Sequence, residues 1–385
     1  MNKSNFYFSC VFSFIISLTY LSTAFSLPRF AVRLGDKCVD CHYNPTGGII
    51  RNEDGWNFGK NILSAISPRD EDFLMTPKIG ENITLGLDYR TQFLYSSELN
   101  RTDFQQMTGS IYTNISLAQT INLLARYDFI YDIWEAYGVA NILPGNGYVK
   151  VGSFQPYFGL RLDDHTAYTR GGDMSLLFTG GRNGLIYNPY YTEVGVEIGY
   201  QFGNIAFLTG SVGSGINYFK DSYNPYNRSL AKDPTYTARL ELDPKIGRVN
   251  LMFGGSYCST HLAQYSPSPH IAPADFYGFF GGIGYKRFSL LAEFDLGNDV
   301  SSDSTKSNYA VAELAYIITL GLEAVVRYDR VDPNTDISND ELQHIILGFE
   351  WFPYSFIEIR PQYRIVLEDP KVDNDAVVVQ FHFWY

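Results

Sequence analysis

The chain has 385 residues, 16% of them aromatic, with 34 Gly, 30 Tyr, four Cys and a formal net charge of −12. That length allows one large domain, or a large domain with a small one, and a mean hydropathy of −0.13 excludes a bundle of apolar membrane helices. The sequence has no clustered Lys and Arg to hold nucleic acid, so the acidic balance points to cations as small partners and to no nucleic acid.

Residues 1–26 read as a secretory signal. Lys3 supplies the positive region, an apolar stretch runs from Phe6 to Leu21, and Ala24-Phe25-Ser26 offers small residues for cleavage. Ser13, Ser17 and Thr19 interrupt a stretch that is already short for a membrane span. Cys10 is lost with the signal, which leaves three cysteines in the exported chain.

Soon after the mature start comes Cys38-Val39-Asp40-Cys41-His42, the C-x-x-C-H run of c-type haem attachment. Two thiols at this spacing each reach one vinyl group of a macrocycle, while the next residue turns its imidazole toward the iron. A Cys38–Cys41 disulfide and a half zinc site are the alternatives, although zinc needs more ligands than the segment offers. The reading is one haem c, bound through Cys38 and Cys41, with His42 as the proximal ligand. For the distal position Met75 is the favoured candidate, because it is the only methionine between the motif and the strands that follow. His382 is the alternative, since alternation points it inward near the C-terminal end, and an open position is the third.

Residues 27–78 form the haem segment, too short for a complete soluble cytochrome. A unit of about fifty residues has a radius of gyration near 10 Å, so it could sit in a large barrel like a stopper. Asn44-Pro45-Thr46-Gly47-Gly48 supplies a turn after the ligand. A short helix is expected over 52–66, with Trp56 and Leu63 against the macrocycle.

Residues 79–385 alternate apolar and polar side chains, the two-residue period of a strand whose faces meet different solvents. Ile83, Leu85, Leu87 and Tyr89 oppose Thr84, Gly86, Asp88 and Arg90, and Ile357, Ile359, Tyr363, Ile365 and Leu367 oppose Glu358, Arg360, Gln362 and Arg364. Charges on a wet lumen and apolar residues on lipid describe a transmembrane antiparallel up-and-down β-barrel in the outer membrane, reached through the periplasm. About sixteen strands are expected, near 82–97, 108–119, 120–131, 133–143, 146–155, 191–202, 203–213, 234–243, 247–260, 274–286, 287–297, 307–318, 319–329, 341–352, 355–367 and 375–385. Short turns at Leu143-Pro144-Gly145-Asn146, Phe202-Gly203-Asn204, Asp243-Pro244-Lys245 and Phe352-Pro353-Tyr354 fall at even links, and long stretches at 156–190, 214–233, 259–273, 298–306 and 331–340 fall at odd ones. Periplasmic turns are short and outer loops long, which leaves both barrel ends in the periplasm.

The last segment, Val377 to Tyr385, alternates to a terminal aromatic and resembles the C-terminal strand of bacterial outer-membrane proteins. The link 156–190, with Arg161, Asp163, Asp164, His165, Arg170, Asp173 and Arg182, resembles the porin loop that folds inward and narrows the channel. Lumen-facing acids, namely Asp88, Glu193, Glu197, Glu241, Glu293, Asp295, Glu313, Glu323, Glu350 and Glu358, outnumber Arg90, Arg239, Arg327, Arg360 and Arg364, so the lumen is expected to concentrate cations.

The order of signal, single C-x-x-C-H, short linker and barrel, with Pro28-Arg29-Phe30-Ala31 before the motif and Phe58-Gly59-Lys60 after it, resembles the fused monohaem cytochrome-porins of iron-oxidising bacteria. Only Cys38, Cys41 and His42 carry over residue by residue. The resemblance implies electron transfer from an extracellular donor, such as ferrous iron, to a periplasmic cytochrome or other acceptor, with iron:cytochrome oxidoreductase activity. The competing reading is a solute or ion porin with a haem-bearing plug or redox-sensing gate.

Overall fold

The computed structural model describes residues 28–48, 50–69, 72, 74–96, 101–162, 166–167, 169, 191–214, 234–264, 270–298, 305–367 and 374–385. The expected signal lies outside these residues, as do Asp163, Asp164, His165, Arg170, Asp173 and Arg182.

Sixteen long strands follow a helical N-terminal segment: β1 (Ile83–Ser96), β2 (Arg101–Ala118), β3 (Ile121–Asp128), β4 (Ile133–Leu143), β5 (Gly147–Phe154), β6 (Glu193–Phe202), β7 (Ala206–Gly213), β8 (Thr235–Leu242), β9 (Val249–Gln264), β10 (His270–Tyr285), β11 (Phe288–Asn298), β12 (Lys306–Thr319), β13 (Leu322–Asp332), β14 (Leu342–Tyr354), β15 (Ile357–Leu367) and β16 (Ala376–Trp384). Each pairs antiparallel with its neighbours in sequence, and β16 returns to β1 through registers such as Gln380↔Gln92 and Trp384↔Asp88. The cylinder is therefore closed, which removes the unpaired edges that an open sheet of this size would expose. Two-residue pieces, Lys78–Ile79 and Lys245–Ile246, add onto β1 and β9.

Burial follows the sequence alternation with its usual polarity inverted. On β14 the outward Leu347, Phe349 and Trp351 are exposed, while His344, Ile346, Glu350 and Phe352 are buried. On β16 Val377 and Phe383 are exposed, while Gln380 and His382 are buried. Apolar side chains outside and charges inside suit a wall between lipid and a polar interior. The alternation of links also holds, with Gly203 at φ 59° in the β6–β7 turn and Gly145 at φ 63° in the β4–β5 turn, and the short links sit at the end that holds both barrel termini.

The strands differ from expectation mainly at the outer end. The stretch 259–273, expected as a loop, is largely hairpin: β9 and β10 stay paired as far as Gln264↔His270. β2 starts at Arg101 rather than near 108. At the other end the β14–β15 turn lies at Ser355 and Phe356, past the expected Phe352-Pro353-Tyr354, because β14 carries an irregularity between Trp351 and Tyr354 that absorbs Pro353.

Because Leu347 lies midway along β14 on the lipid face, Leu347→Arg should destabilise the barrel by about 2–4 kcal/mol. Urea unfolding in bilayer vesicles measures this; an unchanged midpoint would show that the face does not meet lipid.

Candidate functional site

The N-terminal segment lies inside the cylinder, toward the end with the short turns. Its helices are α1 (Pro28–Leu34), α2 (Cys38–Cys41) and α3 (Glu53–Asn61). Pro28 suits the first position of α1, where its missing N–H has no intrahelical partner. Asn52 caps α3 by accepting from the Gly55 N–H at 2.9 Å.

Two buried arginines fasten α1 to the wall. Arg33 donates from both ends of its guanidinium to Glu323 of β13, at 2.7 and 2.9 Å, and to Ser289 of β11 at 2.9 Å. Arg29 donates to Glu350 of β14 and, at 3.4 Å, to Glu313 of β12. The wall is shaped for this helix: a Cβ on Gly284 of β10 would collide with the Val32 carbonyl and the Arg33 Cα, and one on Gly282 would lie 3.2 Å from Val32 Cγ2. At the far end of the segment the Ser355 hydroxyl donates to the Lys60 carbonyl at 2.5 Å, and Ala65 N donates to the Phe352 carbonyl at 2.8 Å.

A second layer comes from the link after β5, whose inward fold was expected. Phe158 packs with Cys258, Phe276, Tyr309 and Val331, and Leu160 packs with Val32 of α1 and with Met252, Phe280 and Leu291. Arg239 of β8 lies between the rings of Tyr157 and Phe280, 3.8 and 4.1 Å from their centroids, and donates to the Gly159 carbonyl at 2.9 Å. Further out, Arg364 donates to Thr166 at 2.9 Å. Where α1, Leu162 and the wall meet, a cavity of about 30 Å³ remains, room for one or two waters.

This filling corrects the expected electrostatics of the lumen. Five of the expected inward acids face cations rather than an open channel: Glu313, Glu323 and Glu350 meet Arg29 and Arg33, Glu358 meets Arg360, and Glu197 meets Lys150. Buried carboxylates are tolerable when paired in this way. Arg29 and Arg33, which stand on the segment rather than on the wall, carry much of this countercharge.

The motif residues come together at one turn. Cys38 and Cys41 sit three apart on α2, both as free thiols, and His42 follows. Burial pushes the Cys38 thiol up to about 11 and raises that of Cys41 as well. Cys41 has no exposed surface and packs with Phe30 and Phe58. His42 Nδ1 lies 3.2 Å from the Ile50 carbonyl; a carbonyl only accepts, so Nδ1 carries the proton and Nε2 the lone pair. The donor set fits a c-type haem: two thiols on one face, and an imidazole whose tautomer is set by a backbone carbonyl, as for metal-binding histidines. Arg51 NH1 and Arg161 Nε are buried without a partner, and guanidinium donors of this kind hold carboxylates such as the two propionates of a haem. Among the described residues no cluster of three or more His, Cys, Asp or Glu stands where it could hold a metal ion.

The loop after His42 is held from the wall. Thr46 Oγ1 accepts from Lys150 Nζ at 3.2 Å and from Arg161 at 3.3 Å, and Lys150 also donates to Glu197 at 2.5 Å while lying over the Phe154 ring. The two distal candidates stand in different surroundings. His382 sits among wall side chains, with Nδ1 2.8 Å from Glu358 and Nε2 3.0 Å from Asp88 and 3.3 Å from the Arg90 guanidinium. Met75, after the helices of the segment, is 59% exposed. Trp56 meets Phe356 and Tyr385 at 5.4 and 6.3 Å, and so seals α3 to the wall.

Replacing Arg33 by Ala leaves Glu323 buried and unpaired, which should cost about 3–5 kcal/mol. The expected outcome is faster proteolytic cleavage within residues 28–66 of the folded, membrane-inserted protein; an unchanged rate would show that the ion pair does not retain the segment.

No protein-family model matches the chain, and no curated protein matches it. Among solved structures it is similar to OprB of Pseudomonas putida at high pH (11% identity, 79% of this chain and 94% of that chain, TM-score 0.59). It is also similar to the outer-membrane channel DcaP of Acinetobacter baumannii (12%, 79% and 97%, 0.52) and to OmpF of Salmonella typhi in complex with daunomycin (11%, 79% and 98%, 0.52). With its lipid-facing apolar exterior, the chain has the sixteen-strand fold of bacterial outer-membrane porins.

Proposed function

We propose that the chain is an outer-membrane cytochrome-porin: a barrel closed by its own N-terminal plug, which carries one haem c on Cys38, Cys41 and His42 and passes electrons from an extracellular donor to a periplasmic cytochrome. The observation that carries this reading is the position of Cys38-Val39-Asp40-Cys41-His42 inside the barrel, near the short-turn end and beneath the inward loop. When bound, the haem supplies a one-electron iron couple. The chain supplies the rest: α2 presents both thiols on one side, the Ile50 carbonyl holds the His42 tautomer, and Phe30, Phe58 and Ile50 exclude water around the motif.

A closed lumen favours electrons over solutes. Lys150, Glu197, Asp295 and Asp329 point inward with no exposed surface, so protein packs against these parts of the wall. The apolar belt is about 25 Å tall, so one haem at the inner end cannot serve both faces by direct contact. The donor, for which ferrous iron is the proposed case, delivers its electron at the outer mouth, and the acceptor docks beside the exposed Val39 of α2.

The second reading, a solute or ion porin whose plug gates diffusion, is favoured by the solved neighbours, one of which is described as a channel. Liposomes holding oxidised cytochrome c inside and ferrous ion outside separate the two. Electron transfer should reduce the trapped cytochrome while conductance stays at the lipid background. No reduction, together with a conductance that changes with the redox state of the haem, would replace the proposal with the gated porin.

A further inference from the structure

We propose that Leu74 and the turn Pro77-Lys78-Ile79-Gly80 anchor the end of the plug in the periplasmic leaflet of the outer membrane, with phospholipid as the partner. The turn occurs twice. Pro77-Lys78-Ile79-Gly80 precedes β1, Pro244-Lys245-Ile246-Gly247 joins β8 to β9, and the two are built alike. Leu85 N donates to the Pro77 carbonyl at 2.7 Å, and Leu251 N donates to the Pro244 carbonyl at 3.0 Å. Lys78 and Ile79 stand opposite Thr84 and Ile83, as Lys245 and Ile246 stand opposite Asn250 and Val249. Gly80 and Gly247 then turn the chain at φ 65° and 61°.

Register puts these isoleucines on the lipid side. Directly opposite residues of an antiparallel pair share a face, so Ile79 lies with Ile83, Leu85 and Leu87 on the outside of β1, while Lys78 shares the face of the buried Thr84. Around the same end Leu117, Ile142, Ile205 and Leu320 stand at short links and, like Ile246 and Ile79, are each more than half exposed. Such a rim of aliphatic side chains suits the boundary between headgroups and acyl chains. The seam between β16 and β1 has no link of its own, because β16 runs out there: Tyr385 exchanges backbone hydrogen bonds with Leu87, and the Pro77 carbonyl takes the next donor, Leu85 N. The repeated turn therefore continues the wall past β16 and completes the rim with Ile79.

Leu74, three residues before this turn, is 96% exposed. Among the described residues almost nothing covers it, and acyl chains would remove that surface from water. The anchor reaches the plug through a side chain, since Lys78 pairs with Glu53 in the first turn of α3. The plug is then tied at two places, α1 to the wall through Arg29 and Arg33, and α3 to the lipid boundary through Lys78. Cys38, Cys41 and His42 take no part, so the anchor holds with or without haem.

Nitroxide labels test this in the full-length protein folded into vesicles of phosphatidylethanolamine and phosphatidylglycerol. Their collision rates are compared for oxygen, which concentrates in acyl chains, and for a water-soluble nickel chelate. Labels at Leu74→Cys and Ile79→Cys should favour oxygen, as a label at Leu347→Cys on the lipid face does, and the preference should invert at Ser338→Cys, an exposed position in an outer link. Unsubstituted protein carried through the labelling supplies the background from Cys38, Cys41 and Cys258. In vesicles with the short-turn end facing the bulk, Leu74→Asp should let trypsin cut after Lys78 about tenfold faster, the factor expected for losing the burial of one leucine. A Leu74 label that behaves like the one at Ser338, or an unchanged cutting rate, would overturn the anchor. A photo-crosslinker at Leu74 should capture phospholipid in native membranes, and capture of another protein instead would overturn lipid as the occupant.

Discussion

The structure depends on a mutual neutralisation. A barrel wall that turns charges inward needs either water or countercharges, and here much of the countercharge is supplied by the chain's own first helix. Arg29 and Arg33 are buried against Glu313, Glu323 and Glu350. Neither side is tolerable alone in a dry interior, since removing one partner strands the other without solvation. The plug is thus fixed by the same carboxylates that would otherwise line a cation channel. Gly284, which leaves space where α1 crosses β10, shows the wall and the helix fitted to each other in shape as well as charge.

From this constraint the rest follows in order. Docking of α1 places α2 near the short-turn end, and α2 places two thiols and an imidazole within the lumen rather than on its rim. The inward loop then covers the motif from the outer side, with Tyr157 on Cys38 and Arg161 on Thr46. Among the described residues, two layers of protein cross part of what would be the solute path of an open porin.

Much of the architecture was legible in the sequence, because a two-residue period over strand after strand has few physical interpretations. Strand number, the inward direction of Glu350 and Arg360, the even and odd links and the inward fold after Pro156 could all be read from alternation and turn chemistry. The outer hairpin of β9 and β10 could not, since its pairing runs past the point where alternation alone marks a strand. The β14–β15 turn also misled: Pro353 looks like a breaker, yet an irregularity in the strand absorbs it, and Phe356 takes the turn at φ 64° with its ring packed near Trp56 and Trp384.

At the site, the motif carried its own signal, while its surroundings did not. Nothing local marks Arg33 as the partner of Glu323, because 290 residues separate them. The contact of His382 with Glu358 and Asp88 was equally hidden, and only the register of β15, β16 and β1 brings the three together. The central claim is that porphyrin is bonded to the plug inside the barrel. Mass spectrometry of the peptide spanning residues 38–42, released from the mature outer-membrane protein, tests it most directly. A peptide heavier by one haem is the expected result, and free or disulfide-linked Cys38 and Cys41 would contradict it.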